Sequence, residues 1–279
     1  MDLPVSRRQE LRRPPFSAFD FISRSVGWLT CVFLILPFVV VIPISFGAKR
    51  YMEFPPTEWT LAWYVEYFTS DDWIGATVFS FQIGFLTALF TTIVGTMATY
   101  AMLKSRAPGG QAINLLLLAP LIVPNIALAI ADYFVFAYLG MLGTVGAFVA
   151  AHSMLSLPFV VVTVTTAMLR IDPDYELAAM SLGASRFKAF LHVMLPQAWP
   201  GLLAGFLFSF IMSFDESVIS FFISGDQQKT LPRRMFEDID QNISPVLAAI
   251  AVLLTLMSVL LVVVGEGLKS RQQRIESET

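Results

Sequence analysis

The sequence of 279 residues carries a net charge of only −3, and with 56% hydrophobic and 14% charged residues it is too apolar for a soluble fold of this size. The weak charge excludes a generally basic nucleic-acid-binding protein, and the excess of large apolar side chains excludes a disordered chain. One cysteine, Cys31, and two histidines exclude a disulfide framework and almost exclude a Cys/His metal cage, so we predict a multispanning membrane protein.

Six charge-poor stretches are long enough to cross a bilayer, because about 20 apolar residues span a hydrocarbon core of about 30 Å. They contain no Lys or Arg, and their only carboxylates are Asp132, Asp215 and Glu216. Prolines interrupt the first, third and fourth stretches, and His152 in the fourth is expected to be a packing residue rather than a ligand. The predicted spans are residues 25–46, 74–102, 112–138, 145–169, 200–223 and 246–265.

The basic residues predict that both termini lie in the cytoplasm, because the cytoplasmic flanks of spans retain Lys and Arg. Six spans place both termini on one side, together with the loops 103–111 and 170–199. That side carries thirteen of the eighteen basic residues, and the other side carries five. The chain is therefore divided into a cytoplasmic tail (1–24), a six-helix transmembrane domain (25–267) and a second cytoplasmic tail (268–279).

The loop 170–199 is predicted to form a pair of short helices. Asp172 can cap the first helix, with a proline at its first position, and this helix should run to about Leu182. Gly183 ends it, and Ser185 can cap a second helix that we expect to end at Pro196.

An apolar stripe with helical spacing runs along this helix pair. Such a stripe can rest on lipid headgroups, pack under its own bundle or dock onto a partner protein, and periodicity alone leaves all three open. The residues of the stripe are Leu177, Met180, Ala184, Phe187 and Leu191.

The order of residues in the same loop resembles the EAA loop of permease subunits of binding-protein-dependent ABC importers. It reads Glu176-Leu177-Ala178-Ala179-Met180-Ser181-Leu182-Gly183-Ala184-Ser185, with Val193-Met194-Leu195-Pro196 and then Pro200-Gly201 at the family's spacing. Leu177 stands where many members have the glutamate before the alanine pair, and Glu176 matches a second acid one place earlier. The resemblance implies a coupling helix that docks into a groove on a cytoplasmic ATPase. The implied coupling residues are Glu176, Ala178, Ala179, Leu182, Gly183, Ala184, Leu195 and Pro196.

Other segments resemble the polyamine-type branch of that family, the PotC/PotI kind. They are Phe54-Pro55-Pro56, the stretch from Pro120 to Pro124, Ser213-Phe214-Asp215-Glu216-Ser217, Thr230-Leu231-Pro232 and Asn242-Ile243-Ser244-Pro245. The resemblance implies the all-α, six-helix fold of type I importer permeases and a solute of the spermidine or putrescine type. Opine-like or amino-acid-derived solutes and other small cations are the alternatives.

The resemblance also implies a set of partners in a bacterial inner membrane. They are a cytoplasmic ABC ATPase dimer that holds ATP and Mg, a second permease subunit that is a copy or a homologue, and a periplasmic binding protein that delivers the solute. The chain has no G-x-x-x-x-G-K-[ST] loop, so we expect no enzyme activity, cofactor or metal in this subunit and no nucleic-acid partner. An ion-gradient-driven secondary transporter is the alternative function; it predicts inverted repeats, which the sequence does not clearly show.

The carboxylates inside the spans are candidate pathway residues. A charged group near the bilayer centre costs about 2.5–3.5 kcal/mol, so it should face a cavity or a partner. Asp132 and Asp215 are expected in the outer half of their spans, and Asp215 and Glu216 would lie about 100° apart on one helix. The alternative is an interhelix hydrogen bond from a protonated acid. Neighbouring rings could hold an ammonium group, so the candidates are Asp132, Tyr133, Phe214, Asp215 and Glu216.

Overall fold

A computed structural model describes residues 18–104, 110–225, 228–241, 244–260 and 263. Within these residues the structure is helical and has no β-strand, only an isolated antiparallel bridge between Gly47 and Trp59. The predicted all-α class is therefore confirmed for the described part of the chain.

Among the described residues, twelve α-helices follow one another in chain order. They are α1 (Ala18–Ser45), α2 (Ala62–Thr69), α3 (Asp71–Lys104), α4 (Gly110–Leu118), α5 (Asn125–Tyr138), α6 (Val145–Met168), α7 (Pro173–Ser181), α8 (Arg186–Ala189), α9 (Leu195–Phe214), α10 (Val218–Ile223), α11 (Leu231–Gln241) and α12 (Val246–Leu260).

Contacts within the chain divide it into two compact units. Among the described residues, one unit holds residues 18–64, 244–260 and 263, and the other begins at Val65 and ends at Gln241. The first unit contains α1, which begins at Ala18 inside the segment predicted as a tail. After α1, the Trp63 indole N–H donates to the carbonyl oxygen of Gly47 at 2.6 Å, so the connection is folded rather than extended.

The second unit is built around α3, α6 and α9, which pack closely against one another. Glycines allow this approach because a side chain would fill the space between the helices. A Cβ atom on Gly95 would lie 2.7 Å from Val160 Cγ1, and one on Gly205 would lie 2.9 Å from Thr163 Oγ1. The three helices therefore touch almost backbone to backbone.

The third predicted span is broken. Its two halves, residues 112–121 and 125–138, meet at an angle of 104°. A short 3₁₀ turn (Ala119–Leu121) contains Pro120, and Pro124 precedes the first residue of α5. A proline cannot donate a backbone hydrogen bond, so two prolines four residues apart end one helix and start the next.

The predicted fifth span, residues 200–223, is wrong at both ends. The helix that begins at Arg186 does not stop at Pro196; it passes through a π-helical turn (Phe190–Met194) into α9 and ends at Phe214, 29 residues in all. Pro196 is accommodated in the first turn of α9, where the wider π turn before it has already shifted the hydrogen-bond register. The chain then breaks and resumes as the six-residue α10.

Within the described residues, four helices are long and apolar enough to cross a membrane, or five if the bent pair forms one span. The four are residues 21–45, 71–104, 145–168 and 186–214. The predicted sixth span, 246–265, is represented by the shorter apolar α12, and most of its remainder lies outside the described residues. The chain is thus a multi-pass membrane protein.

The contact between α6 and α9 predicts that Gly201→Ala destabilises the protein. The added Cβ would clash with Ala167 Cβ and lie 3.0 Å from the carbonyl oxygen of Thr163, so the helices must separate. Overpacking of this kind lowers the free energy of unfolding by about 1–3 kcal/mol. Thermal unfolding of the detergent-solubilised protein measures the effect. Gly75→Ala in α3, where no atom lies within 4 Å of the added Cβ, should leave stability equal or higher.

Candidate functional site

The caps of the predicted helix pair form as expected. The Asp172 carboxylate accepts a hydrogen bond from the backbone N–H of Asp174 at 2.9 Å and starts α7. The Ser185 hydroxyl accepts one from the backbone N–H of Lys188 at 3.3 Å and starts α8. Gly183 lies between them with φ +94°, a left-handed conformation that side chains rarely adopt. The two helices therefore meet at a sharp turn, as the sequence predicts.

Most of the apolar stripe on this turn is exposed. Leu177 and Phe187 of the stripe are more than half exposed, and Leu182, which follows α7 and is not part of the stripe, is 90% exposed. Ala178 and Gly183 are also exposed, and Met180, Ala179 and Ala184 are half-buried. The stripe is therefore not packed under its own bundle, which leaves headgroups or a partner protein to cover it.

Glu176 differs from the other residues of α7 because it is buried and paired within the chain. Its Oε1 accepts a hydrogen bond from the Tyr100 hydroxyl at 2.8 Å, and its Oε2 forms an ion pair with the Lys104 ammonium. Burial raises the pKa of Glu176, but the hydrogen bonds from Lys104 and Tyr100 outweigh it, so the pKa lies below its ordinary value. Glu176 is therefore ionised at neutral pH.

Sequence reasoning missed both partners of Glu176. Tyr100 and Lys104 lie one turn apart at the end of α3, more than 70 residues earlier in the chain, and Lys104 entered the sequence analysis only as one of the basic residues that orient the spans. The two remaining residues of the implied coupling set, Leu195 and Pro196, lie in the first turn of α9 rather than at the end of a separate helix.

The carboxylates Asp215 and Glu216 lie in the break between α9 and α10. The sequence predicts both acids on one helix, but α9 ends at Phe214 and α10 begins at Val218, so neither acid is inside a helix. Asp215 is exposed, and Glu216 is buried. The Glu216 carboxylate accepts a hydrogen bond from the backbone N–H of Ile219 at 2.9 Å, so it caps α10. The two acids therefore have different environments.

Asp132 lies on the buried face of α5, between Ala129 and Phe136, and α5 packs against α10. Asp132 is only 8% exposed, and its Oδ2 has no hydrogen-bond partner among the described residues. The adjacent Tyr133 is 39% exposed. The structure thus brings α5 beside the helix that Glu216 caps. Asp132 is buried, whereas Asp215 is exposed.

The Phe214 ring belongs to an aromatic cluster beside the helix break. It stacks on Phe210 with ring centroids 5.8 Å apart and meets Phe81 edge to face at 5.0 Å. These contacts fix the last turn of α9 against α3, and with it the position of Asp215.

The histidine of the fourth predicted span, His152, is fully buried and joins α6 to both sides of the break. Its Nδ1 lies 2.8 Å from the Ser213 hydroxyl in α9, and its Nε2 lies 3.2 Å from the Ser220 hydroxyl in α10. Ser220 donates to the carbonyl oxygen of Glu216 at 2.9 Å. Among the described residues no group of His, Cys, Asp and Glu is arranged to hold a metal ion.

Residues 93–272 match the protein family described as binding-protein-dependent transport system inner membrane component. The match covers more than half of the chain, and it includes the α7–α8 turn and the break that carries Asp215. The chain therefore belongs to this family, and it is a subunit of a transport system.

Curated relatives extend the similarity over most of the chain. A spermidine/putrescine transport system permease protein, PotC of Haemophilus influenzae, is 30% identical over 88% of this chain and 95% of its own. The putrescine transport system permease protein PotI of Escherichia coli is 28% identical over 80% of this chain and 81% of its own. A sulfate transport system permease protein, CysT of Salmonella typhimurium, is 26% identical over 86% and 88%.

Solved structures agree with this assignment at the level of the fold. A bacterial ABC transporter that imports the acidic polysaccharide alginate matches with a TM-score of 0.70 over 91% of this chain and 96% of that chain, at 12% identity. An amino acid ABC transporter crystallised with histidines matches with a TM-score of 0.55 over 75% and 99%, at 20% identity. The helical arrangement is therefore that of ABC transporter permeases.

The hydrogen bonds of His152 predict that His152→Leu destabilises the protein. The buried Ser213 hydroxyl would lose its hydrogen bond to His152, which costs about 1–3 kcal/mol, and Ser220 would keep only its bond to the carbonyl oxygen of Glu216. Thermal unfolding in detergent measures the loss. The matched control is His192→Leu, because His192 is exposed in the π turn and contacts only a carbonyl oxygen of the preceding turn. Equal stability of the two variants would contradict a structural role for His152.

Proposed function

We propose that this subunit forms half of the translocation path of an ATP-driven importer and that its solute is a polyamine of the spermidine or putrescine type. The proposal is supported by an exposed carboxylate, Asp215, at a helix break, together with the two polyamine permeases among the relatives. A carboxylate pairs with the ammonium groups of a polyamine and forms charge-assisted hydrogen bonds to them.

The exposed stripe on α7 and α8 is proposed to dock into a cytoplasmic ATPase. A chain of this family needs an energy source, and this sequence has no phosphate-binding loop of its own. ATP and Mg are therefore assigned to the partner, which acts as a dimer. In the proposed cycle, ATP binding draws the two ATPases together, their grooves carry the coupling helices inward, and the bundle opens to the periplasmic binding protein.

The topology that fits this cycle has six spans, with both termini and the α7–α8 turn in the cytoplasm. The excess of basic residues on that side supports the orientation. One docking turn in each subunit requires a second permease, either a copy of this chain or a homologue, so that both ATPases are engaged. Hydrolysis of ATP then resets the transporter.

Within the path, Asp215 and Glu216 are proposed to have different functions. Asp215 is exposed and not part of a helix, so it is proposed to contact the solute. Glu216 is buried and caps α10, so it is proposed to hold the break in shape. Asp132 and Tyr133 lie on α5, beside α10, and are proposed as a second, deeper part of the path.

The assignment of Asp215 predicts that Asp215→Asn lowers uptake of radiolabelled spermidine by about 10- to 100-fold at saturating binding protein. Loss of one charge-assisted hydrogen bond costs about 1.5–3 kcal/mol, and 1.4 kcal/mol is tenfold. The protein should remain as stable as the wild type because Asp215 is exposed. Glu58→Gln removes the same charge from an exposed position in the α1–α2 connection and serves as the control. Unchanged spermidine uptake by Asp215→Asn would contradict the role.

The docking surface predicts that Leu182→Asp releases the ATPase. Leu182 is the most exposed apolar residue of the turn, and a carboxylate there would have to be desolvated in an apolar groove. Mass spectrometry of the complex purified gently from its native membrane should find less than a tenth of the wild-type amount of ATPase. Leu61→Asp, at an exposed position before α2, should retain it. Full retention by Leu182→Asp would exclude this surface.

A further inference from the structure

An ion pair between a buried carboxylate and a partly exposed lysine connects the coupling helix to the bundle. The Glu176 side chain in α7 is 5% exposed, and it contacts Tyr100 and Lys104, which lie one turn apart at the end of α3. Arg186 at the start of α8 adds a positive charge near the same carboxylate. Among the residues implied to contact the ATPase, Glu176 is thus the one that the chain itself covers.

The helix α7 has two faces with different environments. Leu177 and Ala178 lie on the face that is open, and Glu176 lies on the face that meets α3. The turn that follows α7 contains Gly183 in a left-handed conformation, and α7 also packs against α8 and the π turn. The contacts of Glu176 add a direct link from α7 to α3.

The same contact reaches the base of α9. The Tyr100 ring lies against the Phe190 ring with centroids 4.4 Å apart. Phe190 is the first residue of the π turn, and it is buried in a cluster with Met194 and Ile171. Because α8, the π turn and α9 form one continuous helix of 29 residues from Arg186 to Phe214, a movement of Phe190 can reach the break at Asp215 through the part of the helix that follows it.

We propose that Glu176, Lys104 and Tyr100 form the mechanical connection that transmits movement of the docked coupling helix to α3 and α9. On this proposal Glu176 is a positioning residue that does not bind the ATPase, although the resemblance of the loop implies that it does. The ATPase contacts the exposed apolar residues of α7, and the Glu176 carboxylate transmits the resulting movement of α7 to α3. The inference rests on the proposed function, because it requires an ATPase on the open face of α7.

The experiment compares Glu176→Gln and Lys104→Met with the wild type in the complete importer, purified with its ATPase and reconstituted with its binding protein. Two quantities are measured: the amount of ATPase that co-purifies, and the number of ATP molecules hydrolysed per spermidine transported. Both variants should keep the ATPase and continue to hydrolyse ATP. The ATP cost of each transported molecule should rise at least tenfold, because α7 moves without moving α3.

Two further variants test the pair itself. The reversed pair, Glu176→Lys with Lys104→Glu, restores an ion pair between the same positions and should recover part of the lost coupling. Tyr100→Phe keeps the ring against Phe190 but removes the hydrogen bond at 2.8 Å, so it gives a smaller loss and remains informative if a charge variant fails to fold. Glu53→Gln breaks another ion pair, Lys49–Glu53 at 2.8 Å, and should leave coupling unchanged.

Three results would overturn the proposal. An ATP cost that stays at the wild-type value in both charge variants would show that the contact transmits nothing. Loss of the ATPase from Glu176→Gln but not from Lys104→Met would show that Glu176 binds the ATPase directly. A reversed pair no better than either single variant would show that the ion pair is not the connection. Absence of an ATPase from the wild-type complex would instead contradict the proposed function.

Discussion

The structure depends on the way helices associate in lipid, where burying apolar side chains against one another gains little because the lipid tails are equally apolar. In this chain α3, α6 and α9 are held by close approach at Gly95, Gly201 and Gly205 and by buried polar contacts. His152 links three helices through Ser213 and Ser220. Such contacts specify one arrangement of the helices better than an interface of apolar side chains would.

Both helix breaks follow from the same constraint. Backbone groups freed inside a membrane must find partners within the protein. At the bend between α4 and α5, Pro124 removes a donor that would otherwise need a partner. At the break after α9, Glu216 supplies an acceptor for the freed N–H of Ile219, and Asp215 is left open. A capped break is thus a way to present a charge inside a membrane protein, and a cationic solute is the ligand that such a charge suits.

Local features were predictable because their cause lies within a few residues. Asp172, Gly183 and Ser185 begin and end helices by bonds to their own neighbours, and these elements lie where the sequence predicts them. The fifth span was predicted wrongly because Pro196 resembles a helix end, although the preceding π turn lets the helix continue. The break at Asp215 has no proline or glycine to mark it.

By itself, the sequence determined the membrane class, the helical composition and the ends of α7 and α8, since these follow from hydropathy and short-range spacing. Only the tertiary structure decided which face of α7 is exposed and which of the two acids at the helix break, Asp215 or Glu216, is exposed. The partners of Glu176 and His152 lie 61 to 76 residues away, and no local pattern specifies such pairs. A carboxylate that resembles a docking residue in sequence becomes an internal connection because folding brings Lys104 beside it.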